Sequence, residues 1–243
     1  MRLWWRKIKT LKVNSMHTVK IIFFAMFLTG CVRINTPVLP VSSAIEHHLV
    51  LISSVSPSIH ADLRYATTHN FIHRNVYGIA DAYLHEDAAR ALAAVQTELH
   101  AQGLGLLIYD AYRPFHVQEI LWNALPDERY VSNPAKNRGR HTRGTTVDVT
   151  LIGVDGTPLP MPTEFDDFTP KAFRDDMSCL PEQCTHRAQL EAVMIKHGFV
   201  PYPFEWWHFD LNHWEKYPVL DIGFSELARG VATAVPVAEN SKK

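Results

Sequence analysis

Four side chains able to build a catalytic metal centre lie in two short segments far apart in the chain, so its fold must bring those segments together. The first reads Gly139-Arg140-His141-Thr142-Arg143-Gly144-Thr145-Thr146-Val147-Asp148, the second Glu205-Trp206-Trp207-His208-Phe209. Two imidazoles, His141 and His208, and one carboxylate, Asp148, are enough to hold a zinc ion with a position left open for water. A further carboxylate outside the metal, Glu205, can then move protons. The pattern is that of a zinc hydrolase with one ion per chain. Two neutral histidines and one carboxylate leave zinc with a charge of about +1, enough to bring the pKa of water toward roughly 7.

The spacing has structural consequences. His141 and Asp148 are seven residues apart, an odd spacing that would put them on opposite faces of one unbroken strand. Gly144 lies between them and can turn the chain, which places His141 in the approach loop and Asp148 on the strand. Glu205 and His208 are three apart, again opposite in a straight strand, and Pro201 and Pro203 put Glu205 in an entry bend. Arg113 is a candidate to stabilise an oxyanion, with Asp110 orienting it by a bidentate pair and itself expected among the substrate-binding residues. Taken singly, each of these residues is as easily a surface or core side chain; their joint arrangement is what points to a site. His116, His186 and His213 are alternative ligands.

Around these motifs the periodicity predicts an α+β fold: a small, mainly antiparallel sheet with packed helices, as a single domain. A helix is expected over Glu86–His100, with Ala88, Leu92, Val95 and Leu99 on one face and Gly103 closing it. The apolar run Leu104–Tyr109 reads as a buried strand. Pro114 opens a second helix through Leu125. Thr145–Leu151 is expected as a strand with Thr146, Asp148 and Thr150 on one side. Thr185 is expected to cap a third helix ending at Gly198, and Trp206–Leu211 to form the last strand. The core domain is placed at residues 46–228, followed by a weakly patterned tail over 229–243.

Residues 1–30 read as an export leader. They carry Arg2, Arg6, Lys7, Lys9, Lys12 and Lys20 and no acid, followed by an apolar run from Ile21 to Leu28 that is short for a membrane span. Translation starting at Met16 would remove most of the basic stretch. The run ends in Leu28-Thr29-Gly30-Cys31, which resembles a bacterial lipoprotein processing box. That resemblance implies lipidation at Cys31, a tether over 31–45 and a lipid-anchored place in the cell envelope facing the periplasm. Without the leader the chain has 18 basic against 25 acidic residues, which disfavours nucleic acid as a partner. Cys179 and Cys184 are the other cysteines, and an oxidising compartment favours a disulfide between them. The competing reading, a metal site completed by His186, lacks a fourth ligand nearby.

Several segments together resemble a known family. Tyr109-Asp110-Ala111-Tyr112-Arg113-Pro114, His141-x6-Asp148 and Glu205-x-x-His208, with Asp62-Leu63-Arg64-Tyr65-Ala66-Thr67 and Asn70-Phe71…Val76-Tyr77-Gly78, are similar to the D-alanyl-D-alanine dipeptidases, the VanX-type zinc peptidases of family M15. The resemblance implies zinc on His141, Asp148 and His208, Glu205 as base and Arg113 as transition-state stabiliser. It implies an acid for the substrate's ammonium, best matched by Asp166, with Asp167 adjacent, and so a small D,D-dipeptide as substrate. Two positions depart from the pattern: Gly139 stands where relatives often have serine, and His73 where a glycine is expected. An exported enzyme of this kind suits turnover of wall-derived dipeptides. A zinc D,D-carboxypeptidase or endopeptidase on peptidoglycan stems, or a non-catalytic wall-binding module, would use the same scaffold. Nothing in the sequence points to a specific protein partner.

Overall fold

The computed structural model describes residues 47–78 and 81–233. The leader, most of the tether, Cys31 and the residues after 233 lie outside that range. In chain order the elements are β1 (Leu49–Leu51), α1 (Ile52–Val55), β2 (His60–Ala61), β3 (Tyr83–His85), α2 (Glu86–His100), β4 (Leu104–Asp110), α3 (Phe115–Ala124), β5 (Thr146–Gly153), α4 (Pro181–Lys196), β6 (Phe199–Pro201), β7 (His208–Leu211) and α5 (Phe224–Thr233). Among the described residues no helix is long and apolar enough to cross a membrane.

The main sheet has five strands in the order β2-β4-β5-β7-β6, and β1 and β3 form a separate antiparallel pair. Only the β2–β4 pairing of the main sheet is parallel, so the expected α+β class with a mainly antiparallel sheet is what the chain adopts. The central strand β5 is buried on both faces. Val147, Val149 and Leu151 join one apolar core with Leu92, Val95 and Leu99 of α2 and Leu190, Val193 and Met194 of α4. Burying each of these aliphatic side chains stabilises the fold by about 1.5–3 kcal/mol. Thr146, Asp148 and Thr150 alternate onto the opposite face, as the period of two requires. A second apolar cluster, built from Tyr65, Tyr112, Val117, Leu121 and Phe224 among others, lies around α3 and α5.

Helix α2 has the bounds its periodicity predicts. His85 Nδ1 accepts from the Asp87 N–H at 3.2 Å, acids occupy the first turn, and Gly103 follows at φ +75°. Helix α3 begins after Pro114, which sits at the N-cap, and ends at Ala124, one residue before Leu125. Four expectations need correction. Helix α4 starts at Pro181, a turn before Thr185. Gln183 Oε1 accepts from the Leu180 N–H at 2.9 Å, while the Thr185 hydroxyl donates back to the Pro181 carbonyl from inside the helix. The last strand opens at His208, because Trp206 and Trp207 lie in the preceding turn. Strand β6 was not anticipated: it is three residues long and carries a proline, which an edge strand tolerates. Helix α5 runs through Thr233, so regular structure crosses the boundary drawn at Ala228.

Cys179 and Cys184 are joined in a disulfide with Cα atoms 5.7 Å apart, just before and within the first turn of α4. Their sulfurs therefore bond each other, and His186 Nδ1 faces the Pro160 carbonyl at 2.8 Å.

Candidate metal centre and active site

Strand register builds the centre. Asp148 on β5 pairs with His208 at the start of β7 on one side and with Asp110 at the end of β4 on the other. An irregularity in β4 between Ile108 and Asp110 sets that last pairing. His141 enters from a short 3-10 turn, His141–Arg143, which Gly144 ends at φ +67°. A Cβ at Gly144 would lie 2.6 Å from Leu49 Cδ2 and 3.0 Å from the His85 nitrogen, so both the backbone sign and the close approach require glycine. Odd spacing is thus reconciled as the sequence suggests: loop for His141, pleat for Asp148, entry bend for Glu205.

His141, Asp148 and His208 are buried and each offers one ligand atom within 4.8 Å of the others. His141 Nε2 lies 3.4 Å from Asp148 Oδ2 and 3.4 Å from His208 Nδ1, and His208 Nδ1 lies 3.1 Å from Asp148 Oδ1. The Nδ1–H of His141 donates to the Ala111 carbonyl at 2.8 Å, which leaves the Nε2 lone pair facing its neighbours. Asp148 Oδ1 is buried without a well-directed hydrogen-bond donor. Two imidazole nitrogens and an orphaned carboxylate oxygen converging on one point fit a divalent cation. Among the described residues this is the one such group. The alternatives lie elsewhere: His116 Nδ1 faces Asp221 at 2.6 Å on the surface, and His213 is exposed beside Glu215.

Glu205 is buried next to this group, its Oε2 3.5 Å from His208 Nδ1. Burial raises its pKa well above the usual carboxylate range; Asp148 and Asp166 add to the rise while His208 opposes it. For His208, burial opposes the charged form, but Asp210 and Asp148 outweigh it and lift the pKa to about 9. Binding a cation at Nδ1 therefore releases a proton.

Arg113 is buried and reaches the same pocket. Its Nε and Nη2 both donate to Asp110 Oδ2, at 3.1 and 2.6 Å, and Nη1 donates to Gln118 Oε1 at 2.7 Å. Its guanidinium also stands 5.0 Å from the Tyr65 ring centroid. Asp110 Oδ1 accepts from the Tyr77 hydroxyl at 2.6 Å and the Ala111 N–H at 2.9 Å. Two expectations about Asp110 are corrected by this. The pairing converges on one oxygen because Tyr77 and Ala111 occupy the other. At 0% exposure, Asp110 is not part of the pocket wall, and its carboxylate faces Arg113.

Asp166 stands in the pocket wall at φ +62°, its oxygens accepting from Tyr65 Oη at 3.2 and 3.3 Å and from the Phe71 N–H at 3.3 Å. Burial, then the charge of Asp148, raises its pKa to about 7. Asp167 instead accepts from the Thr169 N–H and is not part of the wall. The pocket is small and enclosed, with about 20 Å³ of free space at its centre, room for about one water. A larger surface hollow of about 440 Å³ beside Phe115 and Trp122 has no ligand set, so size alone does not mark the site.

Residues 45–224 match the Peptidase_M15 family described as D-ala-D-ala dipeptidase. The D-alanyl-D-alanine dipeptidase of Escherichia coli (strain K12) is 37% identical over 177 residues, 73% of this chain and 91% of that protein. This chain belongs to the D-Ala-D-Ala dipeptidase family. It is a metallopeptidase. The dipeptidase of Enterococcus faecalis (strain ATCC 700802 / V583) is 29% identical over 193 residues, 71% of this chain and 95% of the relative. Among solved structures, a vancomycin-resistance D,D-pentapeptidase, VanY, in complex with Zn(II) is 14% identical at a TM-score of 0.36, covering 55% of this chain and 75% of the other. The LdcB LD-carboxypeptidase gives 16% identity and a TM-score of 0.36, covering 62% of this chain and 65% of the other.

The two departures from the family pattern have local structural settings. Gly139 has φ +86°, and a Cβ there would lie 2.8 Å from Thr142 Cγ2 and 3.0 Å from Gln118 Cγ. A serine does not fit this backbone, because the Gln118 stem takes the space. His73 adopts φ +53°, the left-handed region in which the expected glycine would be unstrained. Sequence reasoning gave no role to Gln118, Tyr77 or Asp210. Only Asp210 carries a readable signal, since His208-x-Asp210 on a strand puts both side chains on one face.

Proposed function

We propose that this enzyme hydrolyses the D-Ala-D-Ala dipeptide to two molecules of D-alanine, with one zinc held by His141, Asp148 and His208. The observation that carries the proposal is that one small enclosed pocket gathers this ligand set, Glu205, Arg113 and Asp166. Zinc at such a site supplies Lewis acidity, polarising a carbonyl and lowering the pKa of water. Glu205 takes the proton from the attacking water and passes it to the departing amine as the C–N bond breaks; its raised pKa suits a group that must hold that proton between steps. Arg113 has one hydrogen on each terminal nitrogen uncommitted to Asp110 or Gln118, available to the oxyanion that develops on the carbonyl. Asp166 pairs the free ammonium of the substrate. An acid in the pocket wall that pairs a free ammonium favours short substrates over polymers. With lipidation at Cys31 the enzyme works at the cell envelope, in turnover of wall-derived dipeptides.

The experiment compares D-alanine release from D-Ala-D-Ala, N-acetyl-D-Ala-D-Ala and a stem pentapeptide by the zinc-loaded protein. Release from the free dipeptide alone is expected, because only it carries an ammonium on the residue next to the scissile bond, within reach of Asp166. Release from the pentapeptide would instead make the enzyme a D,D-carboxypeptidase. A zinc-bound protein inert toward all three would point to a wall-binding module.

A further inference from the structure

We infer that Asp210 is a positioning residue of the metal centre: it holds His208 in the one tautomer and ring orientation that presents Nδ1 to the cation. The inference rests on the metal-site reading above and adds a residue to it. His141 and His208 face the centre through different nitrogens, Nε2 and Nδ1 respectively. His208 therefore turns its Nε2 away, and that nitrogen lies 3.2 Å from Asp210 Oδ1. An ionised carboxylate only accepts, so Nε2 keeps its hydrogen on Asp210, and Nδ1 is the nitrogen that gives up its proton and offers a lone pair when the cation binds. Outer carboxylates of this kind fix the tautomer of metal-bound histidines and raise their basicity.

Asp210 is itself held rigidly, which a positioning role requires. It is buried on β7, and its partner across the sheet, Thr146, donates a hydroxyl to Oδ1 at 2.7 Å. Arg140 Nη1 pairs with Oδ2. Arg140 in turn stacks against Tyr202 at 4.6 Å and Trp214 at 4.9 Å from the ring centroids, so the guanidinium is fixed from two sides. Tyr202 also packs against the His208 ring, with centroids 5.2 Å apart. The chain Arg140–Asp210–His208 thus runs from a half-exposed aromatic clamp to the ligand atom. Asp210 contacts neither the pocket nor Glu205, so its effect on the reaction passes through His208.

The test measures zinc affinity of the full chain by competition with a chromophoric chelator, for wild type, Asp210→Asn and Asp210→Ala. The visible absorption of the cobalt-substituted proteins and the melting temperatures of the metal-free proteins are read beside it. Roughly 10- to 100-fold weaker zinc binding is expected for Asp210→Ala, with a smaller loss for Asp210→Asn, whose amide oxygen can still accept. The cobalt spectrum should change in both, since the ligand field at Nδ1 changes. Should Asp210→Ala fail to fold, Asp210→Asn carries the test alone. Unchanged affinity and an unchanged cobalt spectrum, even with a lowered melting temperature, would reduce Asp210 to a structural residue and overturn the inference. A wild-type chain that binds no zinc would instead remove the metal-site reading beneath it.

Discussion

Replacing Glu205 by glutamine should lower turnover by about 10²–10⁴-fold, the range that proton transfer by a positioned side chain contributes, while zinc content stays at the wild-type level. The reason is geometric. Glu205 is adjacent to the ligand cluster, 3.5 Å from His208 Nδ1, but is not one of the three residues whose donor atoms converge. Glutamine keeps the size and one acceptor oxygen, so the pocket keeps its shape and loses only the ability to take a proton. Its neutrality also suits the site, since burial already disfavours the ionised form of Glu205. Metal analysis and steady-state kinetics on the same preparation decide the matter. A variant that loses zinc would make Glu205 a ligand, and one that keeps full turnover would remove it from proton transfer.

Arg113→Met is expected to fail twice. Loss of a fixed donor to the oxyanion costs about 10²–10³ in kcat, by analogy with removal of single oxyanion-hole donors. The fold also weakens, because Asp110 is left buried without its cation; removing one partner of a buried pair typically destabilises by about 3–5 kcal/mol. The Arg113 side chain is only 8% exposed and that of Asp110 0%, so solvent cannot take over the pairing. Tyr77 and Ala111 continue to donate to Oδ1 and lessen the loss. Arg113→Lys keeps the charge but cannot reach Asp110 and Gln118 with the same planar fork, so stability should recover more than turnover. Denaturant unfolding and kinetics separate the two effects. An Arg113→Met protein with wild-type kcat would exclude Arg113 from the transition state.

The parts of the site legible in the sequence are those governed by local geometry. Gly144 signalled the turn that frees His141 from the strand, and the prolines before Glu205 signalled the bend. The 3.6-residue period located α2 to the residue because its buried face and its ends agree. What was not legible depends on partners distant in the chain. Asp110 looked like a polar residue near the substrate; only the pairing of β4 with β5 and the arrival of Tyr77 show it sealed behind Arg113. Gln118 reads as a helix residue until Arg113 and the Ser132 carbonyl meet its two amide atoms. Strand β6 is defined by pairing with β7 over three residues, too short for any period to show. Helix α4 began early because Pro181 and Gln183 supplied a start that Thr185 was expected to provide.

The most direct test of the account is a zinc titration of the chelator-stripped enzyme with D-Ala-D-Ala as substrate. Hydrolysis should be absent without metal, rise in proportion to added zinc and level off at one zinc per chain, with no such rise in His141→Ala or Asp148→Ala. Hydrolysis that persists in the stripped enzyme, or that returns with zinc in those two variants, would contradict a metal centre built from His141, Asp148 and His208.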